Sequence, residues 1–148
     1  MSNTMANQNL ANHAKFVPLF HYVLLPLLLL TFIGSIVNLT HSLDDHERLY
    51  SAALIVALTV AGIITAFFAR VFALKAQDRA IRAEENLRHF VMTGKLLDPR
   101  LTALQIVALR FSSDPEFVDL ASRAAQSDMK PADIKAAVKT WRADEYRV

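Results

Sequence analysis

The sequence predicts an all-α protein: a two-helix transmembrane hairpin whose second span continues into a cytoplasmic stalk helix, followed by a small three-helix tail. Three observations carry this prediction: two long uncharged apolar runs, a helical pattern that continues past the second run, and three short amphipathic segments near the C-terminus. Of the 148 residues, 53% are hydrophobic and 20% are charged. The expected divisions are a polar lead at 1–15, a hairpin at 16–74 (spans 16–39 and 49–74, loop 40–48), a stalk at 75–95 and a helical module at 96–148.

The second apolar run is the stronger of the two span signals. It contains 21 uncharged residues between Arg48 and Arg70. At about 1.5 Å of rise per residue, such a helix spans roughly the 30 Å of a bilayer's hydrocarbon core. The helical pattern then continues through a charged segment as far as Met92. We therefore interpret this stretch as a membrane-crossing helix that becomes a stalk.

The first apolar run, Phe16 to Leu39, lies in a segment without formal charge between Lys15 and Asp44. A secretory signal peptide is the alternative to a membrane span. The run is longer than a typical signal core, lacks a small-x-small cleavage site and is followed directly by a second span. Pro26 lies inside the run and cannot donate to the carbonyl of Tyr22, so a kink is expected there.

Small residues recur on both apolar runs and predict how the two helices pack. Thr31 shares a helical face with three further small or polar residues of the first run, and the second run carries small residues at intervals of four. Small residues at such spacing allow two helices to approach closely. The positions expected at the helix interface are Gly34, Ser35, Asn38, Ala53, Ala57, Ala61 and Thr65.

Basic residues predict the orientation of the hairpin. Five Lys or Arg lie from Arg70 to Arg88, whereas Arg48 is the single basic residue between the two runs. Because basic residues are retained on the cytoplasmic side, both termini should be cytoplasmic. Acidic residues interleave with the basic ones, which favours nonspecific headgroup contact over a dedicated lipid site. The residues expected near lipid headgroups are Lys15, Arg70, Lys75 and Arg79.

Start and stop signals define the stalk and the module. Gly94 should end the stalk helix, whose surface offers the i,i+4 pairs Asp78–Arg82 and Glu84–Arg88. Asp98 with Pro99, a capping box from Ser113 to Glu116, and Pro131 should open the three short helices. Their apolar stripes predict a small core that includes Trp141 on the last helix. The predicted core residues are Leu104, Phe111, Phe117, Leu120, Ile134, Val138 and Trp141.

Three segments, NHAKFVPLFHYVLLP, LTALQIVALRFSSDPEF and PADIKAAVKTWRADEYRV, carry a resemblance. They resemble a family of small uncharacterised bacterial membrane proteins that is catalogued as a domain of unknown function. The similarity runs from about Asn7 to Val148. It implies a bacterial two-span protein with a cytoplasmic helical tail. It implies no activity and no site residues.

Two groups of residues are candidate ligands. The loop sequence HSLDDHE, from His41 to Glu47, holds five residue types that bind metals, but in no recognised spacing, and a solvated acidic turn is the simpler interpretation. His21 lies near the cytoplasmic end of the first span, where an ionisable group is a site hypothesis. A bis-histidine haem site needs a second histidine at the same depth, and the second span has none. Interfacial anchoring of His21 is therefore favoured, and no cofactor is expected.

The sequence predicts a non-enzymatic protein. It has no cysteine, phosphate-binding glycine loop, nucleophile elbow or zincin helix. Basic residues of the last helix are offset by acidic ones, so nucleic acid is not an expected partner. The expected role is to anchor the module at the membrane as an accessory or structural subunit, with lipid and other membrane subunits or a second copy as partners. The alternative is an oligomeric membrane protein that binds a small molecule, ion or cofactor through His21, Thr31 and Asn38.

Overall fold

The computed structural model describes residues 8–11 and 16–144. The expected polar lead at 1–15 therefore lies mostly outside the described residues. The described part is all-helical, and its only β-type pairing is one isolated bridge between Ser112 and Trp141. A π-helical turn at Leu19–Leu24 leads into α1 (Leu25–His41), and the further helices are α2 (His46–Thr93), α3 (Ala103–Leu109), α4 (Asp114–Gln126) and α5 (Pro131–Ala137).

The described residues form two compact units, which α2 runs through in turn. Residues 16–73 form the first unit, called the hairpin unit below. Residues 8–11 and 74–144 belong to the second, called the module unit. As the sequence predicts, a single helix continues from the apolar run into the charged stalk, and Gly94 ends it with a φ of 73° that favours glycine.

The π-helical turn lies just before Pro26, where the sequence predicts a kink. The N–H of Leu25 donates to the carbonyl of Phe20, five residues back, so this turn is wider than an α-helical one. Pro26 then occupies the first turn of α1, where its missing N–H is tolerated. The backbone thus accommodates the proline by widening the turn that precedes it.

The turn between α1 and α2 is shorter than expected, because it spans 42–45 and not 40–48. Asp45 Oδ1 accepts hydrogen bonds from the N–H groups of Glu47 (3.1 Å) and Arg48 (3.3 Å), which caps the start of α2. At the end of α1, the Ser42 hydroxyl donates to the carbonyl of Asn38 (2.8 Å). These side-chain caps extend both helices beyond the apolar runs.

The helix interface of the hairpin unit differs from the predicted one. Ser35 is the only predicted interface residue that is buried; Gly34, Asn38, Ala53, Ala57, Ala61 and Thr65 are exposed. Within the hairpin unit, the buried positions of α2 are Ala52, Thr59 and Ala66, seven residues apart. Residues spaced four apart are displaced by about 40° around the helix at each step. Residues spaced seven apart are displaced by only about 20°. The seven-residue repeat therefore keeps facing a neighbouring helix.

Two contacts join the helices of the hairpin unit. Ser35 Oγ and Thr59 Oγ1 lie 3.3 Å apart, and each hydroxyl also lies within hydrogen-bonding distance of a carbonyl of its own helix. One turn further from the connection, a Cβ on Gly62 would lie 3.4 Å from the Cδ2 atom of Leu28, so the glycine leaves room for that side chain. One polar and one apolar approach thus lie between α1 and α2.

The three short helices of the module begin where capping residues place them. Thr102 and Gln105 form a capping box for α3, so the predicted cap at Asp98 and Pro99 is wrong. Asp98 instead closes the preceding turn, accepting from the N–H of Arg100 (2.9 Å). The capping box from Ser113 to Glu116 and the start of α5 at Pro131 are confirmed.

The module core contains most of the predicted residues. Phe111, Phe117, Leu120, Ile134 and Val138 are buried. Further buried residues that the helical stripes did not single out are Leu97, Ile106, Leu109 and Ala125. This core lies between α3, α4 and α5, which contact one another, with α3 packed against both other helices.

Leu104 is not a core residue, because its side chain is 60% exposed. The predicted stripe assumed a helix beginning at Asp98, whereas α3 begins after Thr102 and buries Gln105, Ile106, Ala108 and Leu109. At 100° per residue, the buried positions of α3 span an arc from Ala108 (about 40° from Leu104) to Ile106 (about 200°), and Leu104 lies outside this arc.

Trp141 does not lie on the last helix, because α5 ends at Ala137 and the chain then becomes extended at Val138. Its backbone pairs with Ser112, and its ring lies 4.9 Å from the ring of Phe111. The indole is only partly buried. It therefore covers an edge of the core instead of filling a helical stripe.

Two leucines of α3 give a matched test of this core. Leu109→Ala should lower the free energy of unfolding of the module by about 2 to 5 kcal/mol, because the side chain is fully buried. Leu104→Ala should change it by less than about 0.5 kcal/mol. Limited proteolysis of residues 96–148 in the full-length chain, followed over temperature, measures both. Equal effects of the two substitutions would contradict the assigned faces of α3.

Candidate functional site

A dense polar cluster of the module unit surrounds Arg88 on α2. Its Nη1 donates to Glu85 Oε2 (2.9 Å), its Nε to Asp114 Oδ1 (2.8 Å) and its Nη2 to the carbonyl of Ser112 (2.9 Å). The guanidinium also lies over the ring of Phe117, 4.1 Å from its centroid. The Arg88 side chain is only 11% exposed. A nearly buried cation thus joins α2 to the start of α4.

Sequence reasoning missed this role, because it paired Arg88 with Glu84 on a solvated surface. In the described structure Arg88 pairs with Glu85, three residues back, and Asp78 and Arg82 form no ion pair within the described residues. Ile81 and Glu85 are both buried on the face of α2 that carries Arg88. The isoleucine one turn before this pair is the sequence signal that marks the packed face.

A surface cleft of about 500 Å³ opens beside this cluster. Arg142 also faces Glu85 there, with an N–O distance of 3.7 Å. The lining residues are Glu84, Glu85, Arg88, Ser113, Asp114 and Arg142. Their acidic and basic groups largely neutralise one another. The cleft is therefore better suited to joining segments of the chain than to forming a patch of a single charge.

Glu116 forms a second polar junction, between α4 and the extended segment after α5. Its carboxylate accepts from the N–H groups of Lys139 and Thr140, both at 3.0 Å, and from the N–H and hydroxyl of Ser113. Burial raises the pKa of Glu116, but these hydrogen bonds together lower it further, so the pKa lies below its ordinary value of 4.5. The ionised carboxylate therefore holds the extended segment in place.

A third junction joins the last described residues to the rest of the module unit. Asp144 Oδ2 lies 3.1 Å from Nε of the buried Arg110, whose guanidinium lies over the Phe111 ring. The N–H of Asp144 also donates to Gln8 Oε1 at 2.8 Å, a pairing of residues 136 apart in sequence. Gln8, in the described segment 8–11, is thereby attached to the module.

Asp98 forms a solvent-accessible ion pair with Arg100, and this pair shifts the pKa of the Asp98 carboxyl. The side-chain hydrogen bond from Arg100, followed by the Arg100 backbone N–H, lowers the pKa of Asp98 to about 2. Both groups are solvent-accessible, so this pair closes a surface turn and contributes little to stability.

His21, the candidate cofactor ligand, lies in the π-helical turn. Its Nδ1 is 3.1 Å from the backbone N and 2.9 Å from the carbonyl O of Val17, and the rings of Phe16 and Phe20 lie edge-on to the imidazole. Thr31 donates to the carbonyl of Leu27 (2.7 Å). Asn38 is exposed, and among the described residues no contact joins it to His21 or Thr31. The three residues of the alternative hypothesis are thus not brought together within one chain.

The remaining candidates occupy simple surface positions. In the His41–Glu47 loop, Asp45 caps α2, and within the described residues no group of three or more potential ligands is arranged to hold a metal ion. Lys75 and Arg79 are exposed on α2, and Arg70 is partly buried. Lys15 lies outside the described residues.

These features define a class: an all-helical protein with two helices long and apolar enough, by length and composition, to cross a membrane, joined to a small helical module. Comparison with protein families also shows which family the chain belongs to. A family of unknown function (DUF6526) matches residues 5–148, and the chain belongs to this family. No curated protein and no solved structure matches the chain.

Replacement of Arg88 tests the central junction. Arg88→Met should destabilise the module by about 3 to 5 kcal/mol, because it leaves the buried Glu85 without its close partner. Arg88→Lys should restore little of this stability. A single ammonium lacks the planar fork with which the guanidinium reaches both carboxylates and the Ser112 carbonyl. The control is Arg82→Met on the exposed surface of α2, expected within about 0.5 kcal/mol of the parent. Thermal unfolding followed by proteolysis measures all three, and a stable Arg88→Met module would contradict the assignment.

Glu116 predicts a pH dependence. Because its pKa is lowered on folding, its contribution to stability is complete above pH 4.5 and is lost as the pH falls through the folded-state value. The parent chain should therefore exceed Glu116→Gln in unfolding temperature near neutral pH, and this difference should shrink below pH 4.5. Unfolding of both chains across that range measures it. A difference that stays constant with pH would show that the ionised carboxylate is not what holds the segment.

Proposed function

We propose that this protein is a non-enzymatic integral membrane protein whose hairpin anchors a small helical interaction module at the cytoplasmic surface of the bacterial inner membrane. The module would serve as an accessory or structural element of a membrane complex. One observation carries the proposal: the two apolar helices bury little of their apolar surface in the protein.

The exposed surface of these helices supports placement in lipid. Only 6% and 17% of the residues in their most apolar stretches are buried. Leu30, Leu58 and Phe67 are 67%, 70% and 62% exposed. At about 25 cal/mol per Å² of apolar surface, keeping such helices in water is strongly unfavourable. Core helices of a soluble protein would bury these side chains.

Polar groups within the two helices fit the same placement. The hydroxyls of Thr31 and Thr40 donate to carbonyls of α1 itself, and the hydroxyls of Ser35 and Thr59 face each other. Backbone groups of a helix also bond within the segment, as the hydrocarbon core demands. No Asp, Glu, Lys or Arg occurs between Phe16 and Ser42 or between Leu49 and Ala69. The hairpin therefore brings no unpaired formal charge into the bilayer.

The distribution of basic residues supports the orientation. Lys75, Arg79 and Arg82 follow the second apolar run, and the turn at 42–45 carries two acidic residues and no Lys or Arg. The module, which continues from the basic stalk, would then lie in the cytoplasm. The helix caps, small core and polar junctions of the module would keep it compact. A compact module would present a defined surface for contact with partner proteins.

Reporter fusions test the topology. A cytoplasm-active reporter at either terminus of the full-length chain should be active, and a periplasm-active reporter inserted between Asp44 and Asp45 should also be active. Each reporter should be inactive at the reciprocal site, which provides the matched control. A periplasm-active fusion after Val148 would overturn the orientation. Complete release of the chain by alkaline carbonate would overturn membrane insertion.

A further inference from the structure

The stalk portion of α2 has two packing faces, of which the module covers one. Ile81 and Glu85 are 6% and 5% exposed, and Arg88 lies beside them. Centred about 150° away around the helix, at 100° per residue, lies a second set of apolar positions. It consists of Ala76, Ala80, Ala83, Leu87 and Phe90, called the outer stripe here.

The outer stripe follows a seven-residue repeat. Its members are separated by four, three, four and three residues, which is the spacing of the a and d positions of a coiled coil. All five are exposed, Leu87 at 63% and Phe90 at 50%. Three alanines allow close approach of a second helix, and the two large residues provide apolar area at the C-terminal end. This face has the pattern of a helix–helix interface.

Charges beside the outer stripe indicate what covers it. With Ala80 and Leu87 at a positions, Arg79 occupies a g position and Glu84 the e position five residues later. In a parallel two-stranded coiled coil, a g residue faces the e residue five positions on in the partner helix. Two copies of this helix would therefore form two symmetric Arg79–Glu84 pairs. Neither side chain forms an ion pair within the described part of the chain.

An antiparallel arrangement lacks this complementarity. It would place g residues opposite g residues and e residues opposite e residues. The g positions of the stalk hold Arg79, Asn86 and Thr93, and the e positions hold Gln77, Glu84 and Val91, so neither set contains opposite charges. We propose that α2 pairs in parallel with α2 of a second copy of this chain through the outer stripe. This inference does not depend on the membrane placement proposed above.

Single cysteines in the full-length chain test the interface, and the parent contains no cysteine to interfere. Ala80→Cys, Ala83→Cys and Leu87→Cys should each give a disulfide-linked dimer on mild oxidation, because facing positions of a parallel pair lie within reach of a disulfide. Arg82→Cys, exposed on the same helix but outside the stripe, is the matched control and should give much less dimer. An unchanged proteolytic pattern of the module verifies that each variant is folded.

Charge reversal in the Ala83→Cys background tests the partner and the direction. Arg79→Glu alone or Glu84→Arg alone should lower the dimer yield by about fivefold, since each places like charges opposite one another at two symmetric sites. The double reversal should restore the yield. Equal cross-linking at positions 82 and 83, or no dimer at any stripe position, would overturn the interface and point to lipid or another protein as its cover. Dimer formation without rescue by the double reversal would overturn the parallel register.

Discussion

The packing of the module unit depends on the buried guanidinium of Arg88. A cation so little exposed requires acceptors on several sides, and Glu85, Asp114 and the carbonyl of Ser112 supply them. Because the guanidinium is planar and its donors point in fixed directions, these acceptors have only one arrangement that satisfies it. The start of α4 is thereby fixed against α2, and the Phe117 ring is held beneath the cation.

Glu116, near the start of α4, attaches this helix to the extended segment that follows α5. Its carboxylate accepts hydrogen bonds from the N–H groups of Lys139 and Thr140, in the extended segment that follows α5. The chain leaves the helix and returns beside Ser112, where Trp141 covers Phe111. A module of about fifty residues has a small apolar core, so oriented ionic contacts at its edges contribute an unusually large share of its specificity.

A seven-residue repeat occurs twice along α2, with different side chains in its two halves. In the apolar half, Ala52, Thr59 and Ala66 face α1. In the charged half, the outer stripe keeps the same spacing with alanine, leucine and phenylalanine. The repeat matters in both places because the α-helix has close to seven residues in two turns, so positions at this spacing stay on one side of the helix.

Several features followed from local sequence alone. Two uncharged apolar runs predicted the two long helices, because the length and the summed hydropathy of a segment can be read directly from its own residues. Gly94, the capping box from Ser113 to Glu116, and Pro131 predicted helix ends correctly, since each acts on backbone groups within a few residues. Predictions that depended on which face of a helix points inward were less successful. Gly34 and Leu104 are both exposed, although each lies on an apolar or small-residue stripe.

The sequence by itself determined the helical class, the continuous long helix and the apolar residues available for a core. Only the tertiary structure decided that Arg88 would pair with Asp114, 26 residues away, and that the chain would leave the helix before Trp141. The physical reason is that hydropathy and capping are properties of short segments, whereas the pairing of a buried charge depends on which distant backbone and carboxylate groups packing brings within 3 Å.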